Sequence, residues 1–278
     1  MGWWGHGIMD GDSPLDYLHV IRTVLEVGAD EDVSAALLEE RSGEVVRRIE
    51  KLHEPRTGFQ VLGRLAADAG AVLSPEHHQL VIEAIGEGLV RAESEGWSDP
   101  ALRRKALRDL AKALGCEDIG MFRLSTGFLF DLLAPDPRLI TPEVIATGLG
   151  NTCRYGGQID PFYSVAEHSV IVSELVPPMF ERAALLHDAS EGLGLSDVIS
   201  PLKVMLPQYL RIERTVMRAV ALAFGLEEGF EHLPAVRLAD RLVFRLERST
   251  GLQGSQFRRW SSAAAREGFR QRFEELKA

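Results

Sequence analysis

Residues 183–191 read Ala183-Ala184-Leu185-Leu186-His187-Asp188-Ala189-Ser190-Glu191. An apolar run of this kind marks the inward side of a helix, and it ends in an imidazole, a carboxylate and, one turn on, a second carboxylate. Burying an unpaired carboxylate is costly, so Asp188 needs compensating partners. Two other stretches offer them. Ser164-Val165-Ala166-Glu167-His168-Ser169 places His168 on the turn-to-turn face shared with Val165 and Val172, and Val236-Arg237-Leu238-Ala239-Asp240-Arg241-Leu242 sets Asp240 in a second apolar helical context.

Together His168, His187, Asp188 and Asp240 offer two imidazole nitrogens and two carboxylate oxygens. That mixed N/O set suits a divalent transition metal with coordination positions left open. A metal of this kind can lower the pKa of a coordinated water to about 7, and hydrolysis near neutral pH is its natural use. Taken singly, each residue is more often a hydrogen-bonded core histidine or a helix-end aspartate. The ordered set points to a metal site.

Four stretches recur in order around this set: Arg154-Tyr155-Gly156-Gly157, Phe162-Tyr163-Ser164-Val165-Ala166-Glu167-His168-Ser169, Leu186-His187-Asp188-Ala189-Ser190-Glu191 and Ser200-Pro201-Leu202-Lys203. From about Leu124 to Glu247 the chain resembles the HD-domain phosphohydrolases, closest to the branch that includes 5'-deoxynucleotidases and dATP triphosphohydrolases. The resemblance implies metal ligation by His168, His187, Asp188 and Asp240, and catalytic roles for Asp188 and for Glu191, which matches the family's acid. It also implies nucleotide contacts from Arg154 and Tyr155, and a polar pair, Asp197 and Lys203, at the phosphate end. The loop Gly192-Leu193-Gly194-Leu195-Ser196 is longer than in relatives, so Asp197 matches less closely than the ligands do. Mn, Co, Fe, Ni, Zn and Mg all suit such N/O ligation. Relatives assemble as dimers or larger forms, which implies a homo-oligomer.

The chain has 278 residues, long enough for one large core or two modest domains, with 45% hydrophobic residues. No apolar run approaches the roughly 18 residues of a membrane span. The start, Met1-Gly2-Trp3-Trp4-Gly5-His6, lacks a basic flank and an apolar signal core, so the expectation is a cytoplasmic protein. The cysteines, Cys116 and Cys153, read as free thiols. A formal charge of -10 opposes a long nucleic-acid footprint, whereas a small nucleotide needs only a few local cations.

The expected fold is all-α: an HD-domain helical core over 117–278 preceded by a smaller helical domain over 1–116. Glycine- and tryptophan-rich residues 2–12 read as an irregular segment, which also resembles the start of a bacterial domain of unknown function. Helices follow at 15–27, 31–40, 43–52, 59–69, 75–95 and 100–114 from apolar spacing and Gly/Pro breaks. Residues 122–131 read as a short hairpin, and helices at 142–149, 207–224, 233–246 and 261–276 follow. His77-His78 lacks metalloprotease spacing and reads as a solvated first turn, as Arg103-Arg104-Lys105 reads as a solvated helix face. Phe269 and Phe273 form a packing stripe, for the core or a subunit contact.

The functional expectation is metal-dependent hydrolysis of the 5'-phosphate ester of a (deoxy)nucleotide. Nucleoside would be released with phosphate from a monophosphate or with triphosphate from a dNTP. An alarmone or cyclic-nucleotide hydrolase is a second enzymatic reading, weakened because Gly192 rather than an aspartate follows Glu191. A nucleotide-sensing interaction module built on the same fold is the non-enzymatic alternative. The completeness of the ligands and of Glu191 favours catalysis.

Overall fold

The computed structural model describes residues 12–95, 97, 99–254 and 257–276; the irregular segment expected at the start falls almost wholly outside them. Among these residues the fold is all-α, with twelve α-helices and one two-stranded sheet. Among the described residues no helix is long and apolar enough to cross a membrane. The chain divides into two compact units, 1–120 and 121–278.

The first unit contains α1 (Asp12–Leu25), α2 (Ala35–Ile49), α3 (Pro55–Ala69), α4 (Pro75–Arg91) and α5 (Pro100–Ala113). Its core is aliphatic, with Ile21, Leu38, Val45, Ile49, Leu62, Ile85 and Leu107 wholly buried. The expected break between helices at 40 and 43 does not occur: α2 runs straight through Gly43. One interior glycine costs only about 1 kcal/mol relative to alanine, and the buried stripe of Leu38, Val45, Val46 and Ile49 outweighs it.

Two polar pairs of this unit that the sequence suggests are solvated are not. Arg103 and Arg104 are buried rather than solvated. Arg103 donates to Gln60 Oε1 at 2.6 Å with its guanidinium 4.3 Å from the centre of the Trp97 ring, and Arg104 pairs with Glu93 at 2.7 Å. Their long stems bury apolar length while their heads find partners. His77 and His78 are half-buried: His77 Nδ1 lies 3.1 Å from Ser42 Oγ and His78 Nε2 lies 3.0 Å from the Leu114 carbonyl. They tie α4 to α2 and to the end of α5.

The second unit opens with β1 (Met121–Arg123) and β2 (Leu129–Asp131), antiparallel with Phe122 opposite Phe130. Then come α6 (Pro142–Asn151), α7 (Val165–Glu174), the one-turn α8 (Glu181–Leu185), the four-residue α9 (Ser200–Lys203), α10 (Pro207–Phe224), α11 (Pro234–Thr250) and α12 (Ser262–Glu275). Helix α7 is the central rod, buried at every position from Val165 to Ser173, with α6, α8, α11 and α12 packed around it. Phe269 and Phe273 are core residues on α12. One buried cluster, from Leu124 to Phe273, fills the unit.

Two features fix the segment 187–193. Helix α8 stops at Leu185, because the His187 ring turns back and its Nδ1 meets the Ala184 carbonyl at 2.7 Å, serving a helix-end acceptor. Residues Ala189–Leu193 then form a tight 3-10 turn. That turn lies directly on α6: a β-carbon at Gly148 would collide with the Gly192 carbonyl oxygen, and one at Gly192 would stand 2.8 Å from the Ile145 carbonyl oxygen.

Candidate functional site

Every residue singled out for chemistry lies in the second unit, and four of its segments converge. Ser164 caps α7 by accepting the Glu167 N–H at 3.1 Å, which starts the helix so that His168 falls inside it. The α8 end delivers His187 and Asp188, and α11 delivers Asp240. Arg154 and Tyr155 come from a loop closed at its base, where Arg154 N donates to Tyr163 O at 2.9 Å and Val165 N to Thr152 O at 3.0 Å.

His168 Nε2 stands 3.2 Å from Asp240 Oδ1 and 3.8 Å from Asp188 Oδ2, while His187 Nε2 stands 3.2 Å from Asp188 Oδ2 and 4.0 Å from Asp240 Oδ1. The two rings are 5.4 Å apart between centres. Both Nε2 atoms are buried and make no hydrogen bond of acceptable geometry. His168, His187 and Asp188 each offer one ligand atom within 4.8 Å of the others, and this trio could hold a metal ion. Asp240 extends it on the solvent side: side-chain exposure rises from 0% at His168 to 22% at Asp188 and 40% at Asp240. The other ring nitrogens are occupied, His187 Nδ1 by Ala184 O and His168 Nδ1 by Glu247 Oε1 at 2.8 Å. Partners on the far nitrogen orient an imidazole for ligation. Two orphaned Nε2 atoms facing two carboxylates therefore fit a divalent cation.

The cluster's ionisation follows from its mutual contacts. Burial alone would raise Asp188, but His187, His168 and Arg154 hold it well below the usual carboxylate range. Burial would likewise raise Asp240, and His168 draws it down. Burial depresses His187, and the adjacent negative charge of Asp188 overcomes this and pushes it up to about 9. Glu191 goes the other way: burial, then the charge of Asp188, raise it well above its ordinary value despite Lys203. One of its oxygens, Oε2, is buried without a hydrogen-bond partner.

Around this centre stand cations and aromatics. Arg154 lies 3.6 Å from Asp188 and 3.4 Å from Glu247. Lys203, from α9, lies 3.2 Å from Glu191 and 2.9 Å from Glu213. Tyr155 adopts a left-handed backbone (φ 58°), which turns its N–H onto Asp197 Oδ2 at 2.7 Å, and its ring stacks on Phe244 with centres 6.1 Å apart. Asp197 and Lys203, expected to act as a pair, thus take different partners: Asp197 shapes the Tyr155 turn and Lys203 bridges two glutamates. The structure brings His168, His187, Asp188, Asp240, Glu191, Arg154, Tyr155 and Lys203 into one neighbourhood.

Sequence reading passes over Glu213, Phe244 and above all Glu247. Glu247 is fully buried, binds His168, and receives the Tyr155 hydroxyl. Against the raising effect of burial, His168, Arg154 and Tyr155 hold it down at about 2. Its available signal is spacing: seven residues beyond Asp240, two helical turns, on the same face.

No family model matches the chain. It is similar to the uncharacterized protein YfdR of Escherichia coli (strain K12), 37% identical over 131 residues that make up 47% of this chain and 71% of that protein. It is also similar to the uncharacterized protein RCAP_rcc00048 of Rhodobacter capsulatus, 41% identical over 140 residues, covering 45% of this chain and 69% of that one. At that identity, over more than two thirds of each relative's length, the chain belongs to the same family as YfdR and RCAP_rcc00048.

Proposed function

We propose that this protein is a metal-dependent phosphohydrolase of the HD-domain kind, cleaving the 5'-phosphate ester of a nucleotide to release the nucleoside. The observation that carries the reading is the pair of buried, unpartnered His168 and His187 Nε2 atoms facing Asp188 and Asp240. His168, His187, Asp188 and Asp240 would hold the cation, which supplies Lewis-acid polarisation of a phosphoryl oxygen and acidifies a coordinated water when bound.

The chain's own groups account for the rest. Glu191, whose hold on a proton is strengthened by burial and by Asp188, is the group to donate a proton to the departing 5'-oxygen. Arg154, beside Asp188 and Glu247, and Lys203, beside Glu191 and Glu213, supply positive charge to offset that of the phosphate. Tyr155, with Phe244 stacked behind it, gives an aromatic wall beside Arg154 for the nucleoside.

The test is product analysis by ion-pair chromatography. Purified protein is incubated with Mn, Co, Fe, Ni, Zn or Mg supplied singly and a panel of dNMPs, dNTPs, NMPs and NTPs, with Asp188→Asn alongside. The expected result is metal-dependent release of nucleoside by the unaltered protein only. Accompanying phosphate would mark a 5'-nucleotidase, and intact triphosphate a triphosphohydrolase. Loss of no nucleotide with any metal, or equal turnover by Asp188→Asn, would overturn the proposal.

A further inference from the structure

Glu247 joins the metal-facing half of the site to the substrate-facing half. Its side chain has 0% exposure. Its Oε1 accepts from His168 Nδ1 at 2.8 Å, and its Oε2 accepts from the Tyr155 hydroxyl and, at 3.4 Å, from Arg154 Nη2. The same helix places Asp240 Oδ1 3.2 Å from the other ring nitrogen of His168, which makes no hydrogen bond. Two positions seven residues apart on α11, about 10.5 Å along its axis, thus flank one imidazole, with Glu247 bonded at Nδ1 and Asp240 facing the free Nε2.

We infer that Glu247 is a positioning residue: it fixes His168 as the Nδ1–H tautomer with Nε2 free to ligate, and it docks Arg154 and Tyr155 against that same histidine. A histidine's ligating nitrogen is set by the hydrogen bond its other nitrogen makes. A buried carboxylate that only held helices together would need no division of its two oxygens between a metal-facing ring and a substrate-facing pair. The division makes the order of Arg154 and Tyr155 depend on the placement of His168. The inference rests on the metal site of the preceding proposal; only the description of Arg154 and Tyr155 as substrate-facing rests on its nucleotide.

The test uses the full chain and metal alone. Mn²⁺ binding is followed by titration calorimetry and Co²⁺ binding by its visible absorption, for the unaltered protein, Glu247→Gln and Glu247→Asp, with urea unfolding of each in parallel. Glu247→Gln keeps the shape and one acceptor but places an amide NH2 against donor groups. It is expected to weaken metal binding about 10- to 100-fold and to shift the Co²⁺ spectrum while the protein stays folded at the titration temperature. Glu247→Asp, which keeps the charge and shortens the reach, decides the matter if Glu247→Gln fails to fold; the expectation is a smaller loss of affinity with the same spectral shift. Lowered stability with unchanged metal affinity and spectrum in the folded variants would show a purely structural role and overturn the inference. Failure of the unaltered protein to bind metal would remove both proposals. Metal binding without nucleotide turnover would remove only the substrate reading.

Discussion

Glu191 parts company with the other carboxylates of the cluster. Asp188, Asp240 and Glu247 are held down by imidazoles, with Arg154 also acting on Asp188 and Glu247, whereas burial and the Asp188 charge drive Glu191 up. Carboxylates whose environments pull them in opposite directions divide ligand and acid roles between them. Glu191→Gln should therefore lower kcat about 100- to 10,000-fold while Mn²⁺ affinity by calorimetry stays near that of the unaltered protein; a comparable loss of metal affinity would place Glu191 among the ligands instead. His187 and Asp188 are legible in the sequence because they end the apolar run 183–186, and His168 because it shares a helix face with Val165 and Val172. Glu247 is not, since Arg245-Leu246-Glu247-Arg248-Ser249 has the composition of a solvated surface turn. Glu213, within Arg211-Ile212-Glu213-Arg214, is hidden in the same way. Burial of an acid among arginines depends on which way the helix faces, and composition alone does not carry that.

Helix α7 owes its place to an acid that has no part in the cluster. Glu167, fully buried beside His168, accepts the backbone N–H groups of Arg258 at 2.6 Å, Arg259 at 3.0 Å and Trp260 at 2.9 Å. Ser164 and Glu167 have the spacing of a capping box, yet the glutamate leaves its own helix start and anchors the strand of chain that leads into α12. Glu167→Ala would strip three N–H groups of their acceptor and should cost about 2–4 kcal/mol, read as a lowered urea midpoint with unchanged slope. A shift smaller than about 0.5 kcal/mol would mean that water replaces the carboxylate without loss. Periodicity places most of the helices, with α10 at Pro207–Phe224 as expected. It errs where a single glycine suggests an end, at Gly43, and it puts His187 inside a helix whose hydrogen bonds stop at the imidazole itself.

The second unit closes its own core, from Leu124 to Phe273, and holds every group of the candidate site. A fragment comprising residues 121–278 is accordingly expected to unfold in one cooperative urea transition and to bind Mn²⁺; a non-cooperative transition would show that this core needs residues 1–120. Helical periodicity announces helices in both halves of the chain, but it gives no measure of whether a core is complete, because that depends on which apolar faces meet across long sequence separations. Backbone proximity is equally silent in sequence, and the meeting of Gly148 with Gly192 is the clearest case. Neither partner is a rotatable side chain, so a methyl group at 148 has no route of escape except to lever the 189–193 turn off α6. The Gly148→Ala protein would retain every ionisable group and lose the arrangement that gives them meaning. Position 148 is thus a place to seek a heat-sensitive allele, one that disables the protein by shifting the 189–193 turn rather than by removing any reactive group.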